Sequence, residues 1–286
     1  MFGKRYDGRR VKKIDPLERI IPYIMKTRTD SMTMYNDDFD CAPLDEYIKK
    51  KKEETGVKYT YAHIIIAAIV RTMALRPALN RFVMNGKIYT RYKIWSSMAV
   101  QRNLRDESAE TTLKFEFEGL ETLEQVRAQI DGIIADTMTN SENGTDKMAR
   151  VIMYMPGWLI KAFIGLMKFL DRHEIMPRAI IDASPFHTSF FITNLKSLGI
   201  NYLYHHVYEF GTTGIFVGLG KERRKPVVNQ HNGAIEEGKI LTLGFVTDER
   251  FCDGLYFARS MRYFKKFMRN PELLDTPLDH KVEDID

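Results

Sequence analysis

An apolar run, Ile240 to Val246, leads into a charged turn and then into a helix-forming segment, Leu255 to Met268. Between them lie Thr247, Asp248, Glu249, Arg250, Phe251 and Cys252, and Asp253–Gly254 closes the turn. A strand, a polar tip and a helix start form an arrangement in which catalytic groups are often held. The rest of the chain is organised around this unit.

The upstream pattern reads as one α+β domain, without internal repeats or low-complexity linkers. Asp15 as N-cap and Pro16 at the first position open a helix toward Arg28, which Pro22 disturbs. Thr29 to Cys41 alternates as a strand, and Pro43 to Glu54 is a polar helix stopped by Gly56. Thr60 caps the clearest core helix, in which Ile64, Ile65, Ala68, Ile69, Thr72 and Met73 recur at helical spacing until Leu75. Asn85–Gly86 turns a hairpin over Arg81 to Tyr89. Ile94 to Arg102 and Thr111 to Phe117 read as strands, Leu123 to Thr137 as a helix, and Asn140 to Lys147 as a polar loop. Further strands are expected at Ser189–Leu195, Gly214–Gly220 and Ile240–Val246, with Leu198–Val207 irregular. Lys225–Asn229 and Ile235–Lys239 flank a separate turn at Asn232–Gly233. Residues 1–16 read as a basic arm, and residues 275–286 as an acidic, frayed tail.

The 43 basic residues are interspersed with 38 acidic ones for a net charge of +5, which suits a solvated mixed surface rather than a nucleic-acid footprint. The basic excess at Lys4–Lys13, Lys49–Lys52 and Lys221–Lys225 also suits a phosphate-bearing small molecule. Two cysteines, Cys41 and Cys252, form no disulfide framework and no C-x-x-C pair, which fits a reducing compartment. The N-terminus has no apolar core of a signal peptide, so a cytoplasmic protein is expected. The most apolar window, Val151 to Leu170, is interrupted by Pro156, Lys161 and Lys168. Charges at the centre of a bilayer-spanning helix cost about 2.5–3.5 kcal/mol each. The window therefore reads as a buried or interface helix, with membrane-surface contact through 151–170 as the second reading.

The order of elements in the last hundred residues carries a resemblance. The blocks "TSFFITNLKSLGI", "TTGIFVGLGKERRKPVVNQHNGAIEEGKILTLGFVTDERFCDG" and "RNPELL", with "GVKYTYAHIIIAAIVRTMALRPALN" earlier, resemble the catalytic domain of dihydrolipoyl acyltransferases, the acyl-transferring cores of 2-oxo acid dehydrogenase complexes. Chloramphenicol acetyltransferase shares that fold. The resemblance covers roughly residues 11–274, and is strong at 60–83 and 187–274. It implies a two-layer sandwich, a mixed β-sheet packed by helices, in a trimer, with residues 17–274 as the acyltransferase-like domain. It also implies coenzyme A or acyl-CoA as cosubstrate, a small-molecule acyl donor and acceptor, and a channel at the subunit interface.

In that family the tip carries H-x-x-x-D-G. The histidine is the general base, the aspartate holds the tip through an arginine, and a serine of "TISNLG" donates to the oxyanion. Here Asp253 and Gly254 match, Thr193 stands at the serine position, and Lys196 replaces the following glycine. The histidine position is Glu249. A glutamate has an ordinary pKa near 4.3 and, exposed, is a poor base for a thiol, its charge opposing a nearby thiolate. His205 or His206 in "YLYHHVYEF", or His187, are the substitute candidates, since histidine titrates near neutrality. Adjacent histidines point apart and no cysteine is near, so no metal is expected. Arg19 is the expected partner of Asp253, with Arg28 its rival, and Cys252 is expected to be inert. "GTDKM" with Lys147 lacks the surrounding domain of a lipoyl hairpin, so no lipoyl attachment is expected. The ending "DTPLDHKVEDID" lacks an apolar docking tail and points to a trimer rather than a cage. Two readings follow: a stand-alone acyltransferase with an altered base, or a catalytically silent trimeric scaffold.

Overall fold

The computed structural model describes residues 5–101, 110–139, 154–228 and 233–285. The polar loop and Lys147 expected at 140–147 lie outside them, as does the Asn229–Asn232 stretch.

The centre of the fold is the helix that its periodicity marks most clearly. Helix α3, Tyr61–Leu75, buries every residue but Ala62 and Leu75. Thr60 caps it and His63 completes a capping box, so the first orphan N–H groups are satisfied at both ends of the box. Of the other helices, α4 (Leu123–Thr139) packs against it, while α1 (Pro16–Ile24) and α2 (Ala42–Thr55) precede it in the chain. Asp15 accepts from the Leu17 N–H at the start of α1, and Gly56 ends α2 in the left-handed region.

The strands are β1 (Gly8–Arg10), β2 (Met32–Asp40), β3 (Arg81–Met84), β4 (Lys87–Arg91), β5 (Ile94–Gln101), β6 (Glu110–Phe117), β7 (Phe190–Asn194), β8 (Ile215–Leu219), β9 (Arg223–Val228) and β10 (Ile235–Asp248). The main sheet is mixed, ordered β2-β10-β8-β7-β5-β6, with β5, β7 and β8 mutually parallel and β9 paired to β10. A small antiparallel sheet, β1-β4-β3, carries the hairpin, with Asn85 and Gly86 both at positive φ as a type I′ turn requires. Helices cover one face of the main sheet. Phe245, Leu243, Val217, Ile192 and Phe190 point into that core, beside Ile64, Ile65 and Ile66 of α3 and Phe264 of helix α7 (Gly254–Arg269). The architecture is the expected α+β sandwich of a mixed sheet packed by helices.

Four local readings change. The strands expected separately at 235–239 and 240–246 are one strand, β10, whose first half pairs with β9 and whose second half lies between β2 and β8. The first helix ends at Ile24 rather than Arg28, where the Met25 backbone turns extended. Residues 8–10, inside the stretch read as an arm, pair with β4, because Asp7 and Arg5 are buried there in ion pairs. The tail is not frayed: Asp284 clasps Arg81 at 2.6 Å, and the Val282 N–H bonds to Ala74 O.

The apolar window holds helix α5, Gly157–Arg172, after Pro156, and a short helix α6, Arg178–Ala183, follows it. Among the described residues, no helix is long and apolar enough to cross a membrane. The loop that returns to β8 depends on Gly211, at φ +85, where a Cβ would sit 2.3 Å from Phe186 O. Gly211→Ala is expected to lower stability by about 1–3 kcal/mol, from strain and from displacing that carbonyl. Thermal melting checks it, and an unchanged Tm would contradict the backbone geometry.

Candidate functional site

Glu249 and Asp253 sit where the sequence places them, at the turn joining β10 to α7, but the tip is organised by Asp248. Its carboxylate accepts from Ser31 Oγ at 2.9 Å and from Arg250 Nε and Nη2 at 2.8 and 2.7 Å. Arg28 Nε approaches it at 4.0 Å, and Arg28 also donates to the carbonyls of Glu209 and Val83. The Arg28–Asp248–Arg250 cluster is buried. The pair expected between Arg19 and Asp253 is not formed. Arg19 is exposed on α1, while Asp253 accepts from the Tyr256 N–H at 2.6 Å and caps α7. Arg28 is the tip arginine, and its partner is Asp248. In the sequence Asp248 was one carboxylate among several in the charged turn, and only pairing with β2 brings Ser31 and Arg28 to it.

Glu249 is exposed; its N–H donates to Ser31 O and its Oε2 accepts from Thr33 Oγ1 at 3.1 Å. Thr33 lies on the same face of β2 as Tyr35, whose ring meets Phe257 of α7, so Glu249 reaches toward the helix side. Cys252 is buried and its thiol is pushed up to about 12, mainly by burial, which removes it as a nucleophile.

The opposite face of the sheet is only partly covered. Phe191, Phe216 and Val246 form a small cluster there with Val207, Met32 and Tyr208. The irregular segment 201–208 crosses this face because two strand positions, Gly218 and Gly244, and Gly220 just past β8 lack a Cβ. A Cβ on Gly218 or Gly244 would meet Leu203 O at 2.6 or 2.8 Å, and one on Gly220 would meet Tyr202 N at 2.5 Å. That close passage lays the His205 ring flat on Phe216, 4.0 Å between centroids. His205 Nδ1 is 2.9 Å from His206 O. A carbonyl only accepts, so Nδ1 carries the proton and Nε2 keeps its lone pair. His206 is exposed and meets Tyr208 edge-on.

Thr193 follows Phe191 by two residues and therefore shares this face. It pairs with Gly218, so Phe216 lies one strand over and two residues along, about 8 Å by the spacing of a sheet. A groove of about 390 Å³ opens beside Thr193, between β7, β5, α3 and α4. Within it His63 Nε2 contacts Asp131 at 3.1 Å while its Nδ1 accepts from the Thr60 N–H, so both ring nitrogens are occupied. Lys196 is ion-paired with Glu222 and lies over the Tyr61 ring.

His187 is fully buried and takes no part in this face. Its Nε2–H donates to Asp171 Oδ2 at 3.1 Å and its Nδ1 accepts from Ser184 Oγ at 2.8 Å. Burial holds its imidazole below the ordinary value against the pull of Asp171, so it is a neutral structural histidine. Asp171 in turn binds Arg5 at 2.7 Å, and Arg5 binds Asp7. Among the described residues no group of three His, Cys, Asp or Glu is placed to hold a metal ion.

One chain thus brings Thr193 and His205 to a common face and places Glu249 away from both. Residues 186–275 match the family described as 2-oxoacid dehydrogenases acyltransferase (catalytic domain). No curated protein matches the chain. Among solved structures, a probable dihydrolipoamide acetyltransferase from Listeria monocytogenes 4b F2365 is 15% identical, with a TM-score of 0.56 over 90% of this chain and 93% of that one. The dihydrolipoamide acetyltransferase (E2p) of Azotobacter vinelandii, studied for the role of a serine, a histidine and an asparagine in its catalytic mechanism, is 14% identical at a TM-score of 0.55, over 92% and 93%. A chloramphenicol acetyltransferase is 8% identical at 0.50, over 91% and 99%. The chain has the fold of the dihydrolipoamide acetyltransferase cores and of chloramphenicol acetyltransferase, and through residues 186–275 it resembles the catalytic domain of the 2-oxoacid dehydrogenase acyltransferases.

Proposed function

We propose that the chain is an acyltransferase that takes its acyl group from a coenzyme A thioester and passes it to a thiol, hydroxyl or amine, with His205 as the general base. The observation that carries this reading is the His205 Nδ1–H···O=C His206 bond, which leaves Nε2 free to take a proton on the face shared with Thr193. Thr193 supplies the hydroxyl that steadies the tetrahedral oxyanion. Asp253 and Gly254 hold the start of α7, and the Asp248 cluster holds the tip. The reaction breaks the thioester C–S bond, forms the bond from carbonyl carbon to acceptor, and moves the acceptor proton to Nε2 and then to the departing thiolate. The open face is the surface on which a homotrimer would close the site, one copy against the next.

The exposed position of Glu249, bonded to Thr33 on the helix side, argues against its being the base. The test is thiol release from a panel of acyl-CoA donors with thiol, hydroxyl and amine acceptors. Glu249→Ala is expected to change turnover by less than about threefold, against about 10² to 10⁴ for loss of a positioned base. A loss of a hundredfold would transfer that role to Glu249. The second reading, a silent trimeric scaffold, is favoured by the Lys196–Glu222 pair at the altered family position. It predicts no turnover with any donor and no coenzyme A binding by calorimetry.

A further inference from the structure

Helix α5 has more surface character than its core-like sequence suggests. At 100° per residue, its inward stripe runs through half-buried Ile160, Phe163 and Leu170 and buried Met167, with Asp171 anchoring its end to Arg5. Lys161, Lys168 and Arg172 fall together within about 40° on one flank of that stripe. Beyond them Trp158, Ala162, Gly165, Leu166 and Phe169 fill a sector about 100° wide. That sector faces out: Trp158, Phe169 and Leu166 are 72%, 53% and 51% exposed. A soluble helix turns its polar residues outward, whereas here an apolar stripe faces out and a basic stripe borders it.

The basic stripe also opens into a cleft. A cavity of about 420 Å³ between α1, the β3–β4 turn and the end of α5 is lined by Lys168 and Arg172, by Lys26, and by the buried Arg28 and Arg250. Of the charged groups at its wall, Asp171 is paired with Arg5, and Arg28 and Arg250 with Asp248, while Glu209 only accepts from Thr29 and keeps its charge, so the cationic excess rests on Lys26, Lys168 and Arg172. Lys26, Lys168 and Arg172 side chains make no hydrogen bond or ion pair among the described residues. Arg28 Nε is buried without a hydrogen-bond partner. The cleft is therefore electropositive, and its mouth adjoins an exposed apolar stripe.

We propose that α5 and this cleft form a docking site for an anionic phospholipid surface, with Trp158, Leu166 and Phe169 seated among the acyl chains and a headgroup phosphate held at the cleft by Lys168, Arg172 and Lys26. An apolar stripe flanked by lysine and arginine is the composition that lies in the plane of a membrane interface. The basic flank selects the sign of the surface and the cleft gives a phosphate its place. This site is independent of the acyl-transfer reading, because it needs neither His205 nor Thr193.

The sequence has two tryptophans, and Trp95 is 5% exposed, so emission changes on docking report Trp158. The experiment adds the full chain to vesicles of phosphatidylcholine alone and of phosphatidylcholine with phosphatidylglycerol, reading flotation and tryptophan emission. The expected result is flotation with the anionic vesicles and a blue-shifted emission. Three basic groups, at about fivefold each near a charged surface, predict a preference of about 100-fold over neutral vesicles. The triple variant Lys161→Glu, Lys168→Glu, Arg172→Glu loses that preference, and Trp158→Phe keeps flotation while abolishing the emission shift. All these positions are exposed, so the variants are expected to fold, and thermal melting confirms it. Equal binding to both vesicle types, or none to either, overturns the proposal. So does binding of inorganic pyrophosphate at the cleft without vesicle binding, which makes the cleft a site for a soluble phosphate. A changed oligomeric state in Trp158→Ser with Phe169→Ser also overturns it, because the stripe is then an interface between copies of this chain.

Discussion

Replacing His205 by alanine is expected to lower kcat for acyl transfer by about 10² to 10⁴, the contribution of a positioned general base. The His206→Ala change is expected to cost less than tenfold, because His206 contributes its carbonyl rather than its ring to the bond that orients His205. Thr193→Val removes one oxyanion donor, with a loss of about 10² to 10³. The two groups act on the same step, so the double variant should lose less than the product of the single losses. Steady-state kinetics with a saturating acyl-CoA donor separates these outcomes. His205 is partly exposed and packs against Phe216, so thermal melting should show the variant folded. Retained activity in His205→Ala would remove the histidine from the mechanism. A silent wild type with intact coenzyme A binding would show that the frame holds the cosubstrate without using the base.

Asp171→Ala is expected to destabilise the fold by about 3–5 kcal/mol, since it leaves the buried Arg5 guanidinium and the His187 ring without their shared partner. For a chain of this size that corresponds to a fall in Tm of roughly 10 °C. Burial alone would raise the Asp171 carboxyl, but the His187 ring and the Arg5 guanidinium outweigh it and hold it at about 2. The unfolded chain titrates this carboxyl near pH 4. A carboxyl held lower when folded stabilises the protein above that value, and the stabilisation is lost as pH falls from about 4 toward 2. The difference corresponds to about 2 kcal/mol at neutral pH. His187 works in the same direction at higher pH. Its buried ring resists protonation, so the unfolded chain gains protons first below about pH 6.5 and stability begins to fall there. Denaturant melts between pH 7 and pH 2 test both steps. Asp171→Asn should make the lower step shallower without removing it, because Asp7, whose carboxyl burial would raise but Arg5 and Arg91 hold low, keeps part of the loss below pH 4.

The elements that were legible in the sequence are those whose physics is local. The cap at Thr60, the Asn85–Gly86 turn, the stop at Gly56 and the periodicity of α3 each depend on residues within one or two turns. The irregular character of 198–207 was also legible, since it lacks a period. The reason it lies on the sheet was not. That depends on Gly218 of β8, Gly220 just past it and Gly244 of β10, which become one surface only when β8 and β10 pair.

The roles within the candidate site divide in the same way. Thr193, Glu249 and Asp253 were visible because their types and order resemble a known catalytic frame, and His205 only as one of three substitute histidines beside His206 and His187. Their division between two faces was not, because a side chain's face follows from strand register and from where the strand ends. Glu249 lies just past β10, so its direction depends on the pairing of Thr247 with Thr33. Asp248 displaced Asp253 as the arginine's partner for a related reason: Ser31 and Arg28 are more than 200 residues away in the chain and are brought to it only by β2.

The chain's own order of residues determined the helices, the turns and the single α+β layering, because propensity, capping and hydrophobic period act over short distances. Tertiary structure alone decided which groups meet. Long-range pairing put His205 and Thr193 on the open face, buried Asp171 between Arg5 and His187, and left the apolar stripe of α5 outward beside its lysines. Each of these is set by contacts between segments far apart in the chain, and a short-range pattern carries no record of them.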